Sequence, residues 1–334
     1  MPAADPSVTQ VRRAVRSCLH RLAGECPEPD RPPLVLVACS GGPDSMALAA
    51  AVTDTAAAAG VRAGLVSVDH GLQPGSRQRC EDVASWAHHR GFSPAEALTV
   101  AVTGSGGPEA AARTARYAAL DAAARRHSAM AVLLGHTRND QAETVLLGLA
   151  RGSGTTSLSG MARCRGLYRR PLLELPRSAT HRTASALGLP VWHDPHNTDG
   201  RYRRSRLRPL LDELEAAIGP GVIAGLSRSA RLLRADAEYL DGMAGACLAE
   251  VVDVEVTLDA PTLAREPLAI RGRVLRRWAL QLGVSPSALG AEHVARLDVL
   301  LTDWRGQGAV YLPGSVVVAR QAGRLRQVDG DVSR

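Results

Sequence analysis

The strongest constraint on this chain is a repeated alternation. A continuous apolar run, Leu34-Val35-Leu36-Val37-Ala38-Cys39, passes through Ser40-Gly41-Gly42-Pro43-Asp44-Ser45 into an alanine-rich stretch that ends near Ala59. Such a run suits a strand buried on both faces. The pattern then recurs, strand-like at 61–69, helical at 76–90, weakly strand-like at 96–102, helical at 108–127, strand-like at 130–135 and helical at 139–150. Strands alternating with helices of this length build βαβ units and a parallel sheet, whose ligands lie beyond the carboxyl ends of the strands. The polar clusters at 40–45, 69–72 and 135–143 all fall at such ends.

After Pro190 the character changes. An arginine-dense loop, 192–208, leads into helical periodicity over 207–218, which Gly219-Pro220-Gly221 interrupts. Helical patterns follow at 222–252, 268–282 and 291–301, and the tail at 309–328 alternates like a β-hairpin turning at Pro313-Gly314. At 334 residues the chain exceeds one ordinary domain. The expectation is an α/β parallel-sheet domain over 1–218, followed by a mostly helical domain over 219–334 that ends in a hairpin. Aromatics make up only 3%, so the cores must be built from Ala, Leu and Val.

The 40 basic residues are all arginine and outnumber 33 acids, for a net charge of +7. That balance suits a polyanionic partner. With no lysine, Schiff-base chemistry and a phosphate-loop lysine are excluded. Cys18, Cys26, Cys39, Cys80, Cys164 and Cys247 form no C-x-x-C pair, which argues for reduced thiols rather than a disulfide, zinc or iron–sulfur framework. Arginines at 12, 13 and 16 interrupt any signal-peptide run, and no stretch approaches the roughly 20 apolar residues of a membrane span. A cytoplasmic location is expected.

The loop from Ser40 to Ser45 carries the sharpest chemistry. Adjacent glycines allow close backbone approach, and successive N–H groups at a helix N-terminus form an anion site. Ser40 and Ser45 add hydroxyls. Asp44 would repel bare phosphate, so a nucleotide here calls for bridging Mg²⁺. The competing reading is a plain helix cap. Asp69-His70, at the end of the second strand, are either loop hydrogen-bonders or nucleotide contacts. Asp140 and Glu143 lie three apart on one face of a starting helix. They could bind a metal, hold an ammonium, fix a base or complement the helix dipole. Glu109 and Arg113 are spaced as a surface ion pair. Arg201, Arg203, Arg204, Arg206 and Arg208 surround Tyr202, a composition fit for phosphates and a stacked base, or else for a solvated, charged helix start.

The Ser40–Ser45 loop closely resembles the signature of the PP-loop ATP-pyrophosphatase superfamily. Within it, further elements resemble the tRNA(Ile)-lysidine synthetase family. They are Val68-Asp69-His70-Gly71-Leu72, Glu109 with Ala112-Arg113 and Arg116-Tyr117, and His136 with Asp140-Gln141-Ala142-Glu143-Thr144. Next come Arg151-Gly152-Ser153-Gly154, Gly160-Met161, Arg170-Pro171-Leu172-Leu173, and Trp192 with Asp194-Pro195 and Asn197. The match runs from about 34 to 208; the second half matches loosely, mainly in its closing hairpin.

The resemblance implies ATP-dependent ligation of L-lysine to C2 of the wobble cytidine in the CAU anticodon of tRNA(Ile), through an adenylated cytidine, with release of AMP and pyrophosphate. It implies ATP contacts at Ser40, Gly41, Gly42, Pro43, Asp44, Ser45, Asp69, His70 and His136, with Mg²⁺ on Asp44. Asp44 and Asp140 would be catalytic, and Asp140 and Glu143 would meet lysine or the cytidine. Arg113, Arg116, Arg201, Tyr202, Arg204, Arg206 and Arg208 would contact tRNA, and the second domain would recognise it. Partners are then tRNA(Ile), L-lysine and ATP, with no membrane; a homodimer is left open.

Two departures stand out: Ser205 where the family usually has asparagine, and Ser157 where it often has glycine. Three other readings compete. A tRNA thiolase would need a persulfide cysteine or a cluster. An amide-forming synthetase would give no reason for the arginine-rich segment, and an inactive binding module no reason for an intact loop beside Asp140 and Glu143.

Overall fold

The computed structural model describes residues 5–26, 31–71, 73, 75–102, 107–152, 154–192 and 203–329, with the side chains of 108, 109, 203 and 204 left aside. The chain divides into two compact units, Met1–Arg234 and Ala235–Arg334.

Unit 1 is built on a six-stranded sheet of order β3-β2-β1-β4-β6-β5. Its strands are β1 Leu34–Ala38, β2 Arg62–Asp69, β3 Ala95–Thr99, β4 Ala131–Leu134, β5 Cys164–Arg165 and β6 Tyr168–Arg169. All neighbours run parallel except the β5–β6 pair. β1 alternates its allegiance. Val35 and Val37 join a core with α1 (Pro6–Gly24), α2 (Pro43–Thr55) and Ala184 of α7 (Arg177–Ala186). Leu34 and Leu36 join an opposite core with Leu120, Ala123 and Ala124 of α4 (Pro108–Arg126). A strand buried on both faces has no polar alternation, which is why its sequence reads as one apolar run. Residues Met46 to Val52 of α2 are all buried, so a small-residue helix lies between the sheet and two helices.

The strand order reverses at β1, where β2 lies on one side and β4 on the other. The carboxyl ends of β1 and β4 lie at this switch point, where ligands of open α/β sheets bind. Thr137 then caps α5 (Arg138–Leu149), and α3 (Ser76–His89) and α6 (Thr155–Leu158) complete the surroundings.

The interruption expected at Gly219-Pro220-Gly221 is present between α8 (Arg203–Ile218) and α9 (Val222–Val251), yet the units part at 234/235, inside α9. The first turns of α9 belong to unit 1. Ile223 packs with Ala142 and Leu211, and Arg234 donates to the carbonyls of Ser159 (2.6 Å) and Gly160 (2.7 Å).

Unit 2 gathers α10 (Ala260–Ala264), α11 (Leu268–Gln281) and α12 (Ala291–Thr302) around fully buried Trp278, whose indole N–H donates to the Val256 carbonyl at 2.7 Å. The tail is more than the expected hairpin. β8 (Val310–Leu312) does turn at Pro313-Gly314 into β9 (Val316–Gln321). A second turn at Ala322-Gly323, both with positive φ (47° and 78°), adds β10 (Arg324–Val328), and β7 (Leu258–Asp259) completes a four-stranded antiparallel sheet. Left-handed residues at both central positions suit a two-residue hairpin turn.

Candidate active site

The Ser40–Ser45 loop is held by its own atoms. Gly41 takes φ +80°, and its carbonyl accepts the Trp192 N–H at 2.9 Å. Ser45 Oγ accepts the Ser40 N–H (3.2 Å) and donates to the Gly42 carbonyl (2.9 Å), drawing the loop closed over the N-terminus of α2. Gly135, just past β4, approaches the loop so closely that a Cβ there would lie 3.1 Å from the backbone of Asp44 and Ser45. Hydrogen alone at position 135 lets the two loops meet.

They frame a cleft of about 400 Å³ lined by Ser40, Gly42, Asp44, Ser45, His136 and Asp140, with arginines 116, 177 and 208, His181 and Trp192 around its rim. Its charged side is organised by Arg177, at the first position of α7. Arg177 Nη2 lies 2.8 Å from Asp140 and 2.9 Å from Glu143, with its Nε 4.0 Å from Asp44. Its pKa is raised further because these carboxylates outweigh its burial.

The carboxylates, equivalent in sequence, differ in surroundings. Asp44 accepts the Thr180 hydroxyl, and burial pushes its carboxyl up to about 6, with the charge of Asp140 adding to the shift. Burial also works against the charge of Asp140. There, however, Arg177 and the N–H and hydroxyl of Thr137 (2.7 and 2.8 Å) win, holding its pKa below the ordinary range. Glu143 has no exposed surface; its Oε1 takes Arg177 and Arg208 Nε (3.2 Å), and it lies behind the cleft wall rather than on it.

His136 accepts from Arg170 Nε at Nδ1 (3.2 Å). A guanidinium only donates, so the neutral ring carries its proton on Nε2. Burial, reinforced by the arginines at 170, 116 and 113, lowers its pKa to about 3, so it is neutral throughout the physiological range. Arg170 is itself buried and anchored to the Ala162 carbonyl (2.7 Å).

Other expected site residues separate. Asp69 caps its own turn by accepting the Gly71 N–H (2.8 Å), and neither it nor His70 lines the cleft, where β2 contributes Val66 and Val68 instead. The chain turns at Gly71 (φ +66°) directly after them. Arg116 reaches the cleft, whereas Arg113 is exposed and stacks over Tyr117 at 4.9 Å. Arg206 is exposed, while Arg208 is tied to Glu143. Arg201, Tyr202, the side chains of Arg204 and Glu109, and Leu72, Ser153, Asp194, Pro195 and Asn197 lie outside the described residues. Ser157 sits in the right-handed turn of α6, so it needs no glycine conformation; Gly152 and Gly160 take the positive φ nearby. Cys39 is buried, and burial raises its thiol pKa, which opposes persulfide chemistry.

Arg177, Thr180 and His181 were not anticipated. A signal existed: an arginine in the first turn of a helix opposes the helix dipole and calls for buried acids nearby.

Comparison with known proteins agrees with this geometry. Residues 13–214 match the PP-loop domain family, and residues 258–326 match the TilS substrate binding domain. A tRNA(Ile)-lysidine synthase of Streptomyces coelicolor is 53% identical over 96% of this chain and 97% of its own. One from Thermobifida fusca is 52% identical over 98% and 97%. Among solved structures, the U34-tRNA thiolase NcsA of Methanococcus maripaludis superposes with a TM-score of 0.55 at 20% identity, over 68% of this chain and 80% of its own, a likeness of fold alone. With a PP-loop domain over more than half its length and such relatives across nearly all of it, the chain belongs to the tRNA(Ile)-lysidine synthase family.

Proposed function

We propose that this enzyme ligates L-lysine to C2 of the wobble cytidine in the CAU anticodon of tRNA(Ile), consuming ATP and releasing AMP and pyrophosphate. One observation carries the reading beyond family membership. A single cleft bears an anion-cradling loop on one wall and an ionised Asp140 among arginines 116, 177 and 208 on the other.

The cytosine O2 attacks the α-phosphorus of ATP; the bond to the bridging oxygen breaks and pyrophosphate leaves. The lysine ε-amine, in its neutral form, then attacks C2, loses a proton to water and expels AMP, a far better leaving group than the carbonyl oxygen it replaces. The Ser40–Ser45 loop positions the phosphates and the arginines oppose the charge that develops, as suits phosphoryl transfer. Among the described residues no cluster of three His, Cys, Asp or Glu could hold a metal. Asp44 fits Mg²⁺ nonetheless, since this ion is commonly held by one or two carboxylates together with substrate phosphates. When bound, it would neutralise charge on the departing pyrophosphate.

The low pKa of Asp140 suits it to hold an ammonium rather than to take a proton. Glu143 acts through Arg177 and Arg208. His136 offers an Nε2–H donor to a substrate oxygen. Arg113, Arg116 and Arg206 are available to the tRNA, and the TilS substrate-binding segment supports recognition by unit 2.

The test is incorporation of radiolabelled lysine into a tRNA(Ile) transcript with a CAU anticodon, in ATP and Mg²⁺, against a transcript whose wobble C is U. Labelling of the C transcript alone is expected. Pyrophosphate release without labelling would retain the adenylation and remove lysine as the nucleophile.

A further inference from the structure

Unit 1 carries a second concavity, of about 610 Å³, whose wall is guanidinium. Arg138 and Arg163 face it from the α5 side, and Arg228, Arg231 and Arg234 from α9. Three of the five are built into the wall. Arg138 Nε donates to the Glu174 carbonyl (2.9 Å), Arg163 pairs with the Glu174 carboxylate (3.1 Å), and Arg234 holds the carbonyls of Ser159 and Gly160. Gln141 pins the same segment, accepting the Met161 N–H (2.7 Å) and donating to its carbonyl (3.2 Å). Arg228 and Arg231 are exposed and make no hydrogen bond or ion pair among the described residues.

Spacing of three along α9 puts its arginines on one face. Among the described residues Glu174 is the only acid in the lining, so five positive charges meet one negative there. Such an excess repels itself unless an anion balances it. Among the described residues no aromatic lines the concavity, so they offer no platform for a base. Guanidinium forks in such excess over carboxylates suit phosphate oxygens. The location is also informative. α5 presents Asp140 to the catalytic cleft and Arg138 and Gln141 to this concavity, so a single helix, about 10 Å across, separates the two.

We propose that this concavity binds phosphodiester groups of the substrate RNA while a base occupies the cleft beyond α5, an inference that rests on the tRNA reading above. Its contribution is blind to sequence, because phosphates carry no base information.

The experiment compares wild type with the double variant Arg228→Gln/Arg231→Gln, measuring tRNA affinity across a salt series alongside affinity for ATP·Mg²⁺. Both side chains are exposed, and unchanged ATP affinity reports an intact unit 1. The expected result is tRNA binding weakened roughly tenfold, with the salt slope shallower by about 1.4, from two phosphates at about 0.7 each. The loss should be equal for transcripts with C or U at the wobble position, and Arg228→Lys/Arg231→Lys should recover most of the slope. Unchanged affinity and slope in the Gln variant, with wild type binding tRNA normally, would overturn the proposal and leave the enzymatic reading intact. Wild type that binds ATP but no tRNA would overturn both. A loss confined to inorganic pyrophosphate or ATP would assign the concavity to a small anion and overturn the RNA proposal.

Discussion

The two units are stabilised by different means. Among the described residues, twelve of the thirteen buried polar or charged residues lie in unit 1, and Thr257 alone in unit 2. Unit 1 is larger, but only a little over twofold. Unit 2 encloses Trp278 in leucine, valine and alanine, and its partly buried pairs Arg271–Asp298 and Arg273–Asp241 each join one arginine to one carboxylate. Unit 1 instead buries Glu143 and Arg170 outright and sets Arg177 among three carboxylates. Stability and chemistry compete for the interior of the first unit and do not in the second.

That contrast can be tested by stability changes, ranked from the largest. Arg177→Met leaves Asp44, Asp140 and Glu143 without their shared cation and should cost about 3–5 kcal/mol, with loss of activity. A variant as stable as wild type in chemical denaturation would mean that water already screens the cluster. Trp278→Ala should cost about 3–4 kcal/mol through the cavity it leaves, with ATP affinity unchanged. A matching loss of ATP affinity would erase the distinction between the units.

Asp44→Asn should go the other way. The folded protein holds the proton of Asp44 up to about pH 6, against the usual carboxylate value of 3.8. The folded state therefore binds more protons than the unfolded one between those values, and stability falls as pH rises through that window. The amide removes the cost, so Tm at pH 7.5 should rise by about 2–6 °C, with no gain below pH 4, while adenylation is lost. A lower Tm at pH 7.5 would show that the charge of Asp44 is needed by Arg177. The same proton should make Mg²⁺ compete, so apparent Mg²⁺ affinity should decline below about pH 6 in titrations of ATP turnover. Smallest is Arg271→Ala in unit 2, about 1–2 kcal/mol for its paired bonds to Asp298. A cost matching that of Arg177→Met would give the two units the same dependence on charge.

What could be read from sequence follows the same physics. β1 and β4 were legible because doubly buried strands leave unbroken apolar runs, and the anion loop because its glycines and serines stand at a strand–helix junction. α7 was not. Its buried face is Ala179, Thr180, Thr183 and Ala184, small or polar side chains with no apolar periodicity to detect. With it went Arg177, the residue on which the charged half of the cleft turns. The spacing of Asp140 and Glu143 correctly put them on one helix, but spacing cannot say which one meets the cleft. That depends on Arg208, some 65 positions further along. The second turn of the C-terminal sheet was missed because Ala322 is a poor advertisement for positive φ.

The cations lining the catalytic cleft are guanidinium groups, apart from any charge on its histidines. A guanidinium keeps its proton under all physiological conditions and is a poor nucleophile. If the cleft generates an adenylated cytosine, that electrophile meets no primary amine on the protein's own side chains. Self-labelling of the active site through a lysine side chain is thereby closed off.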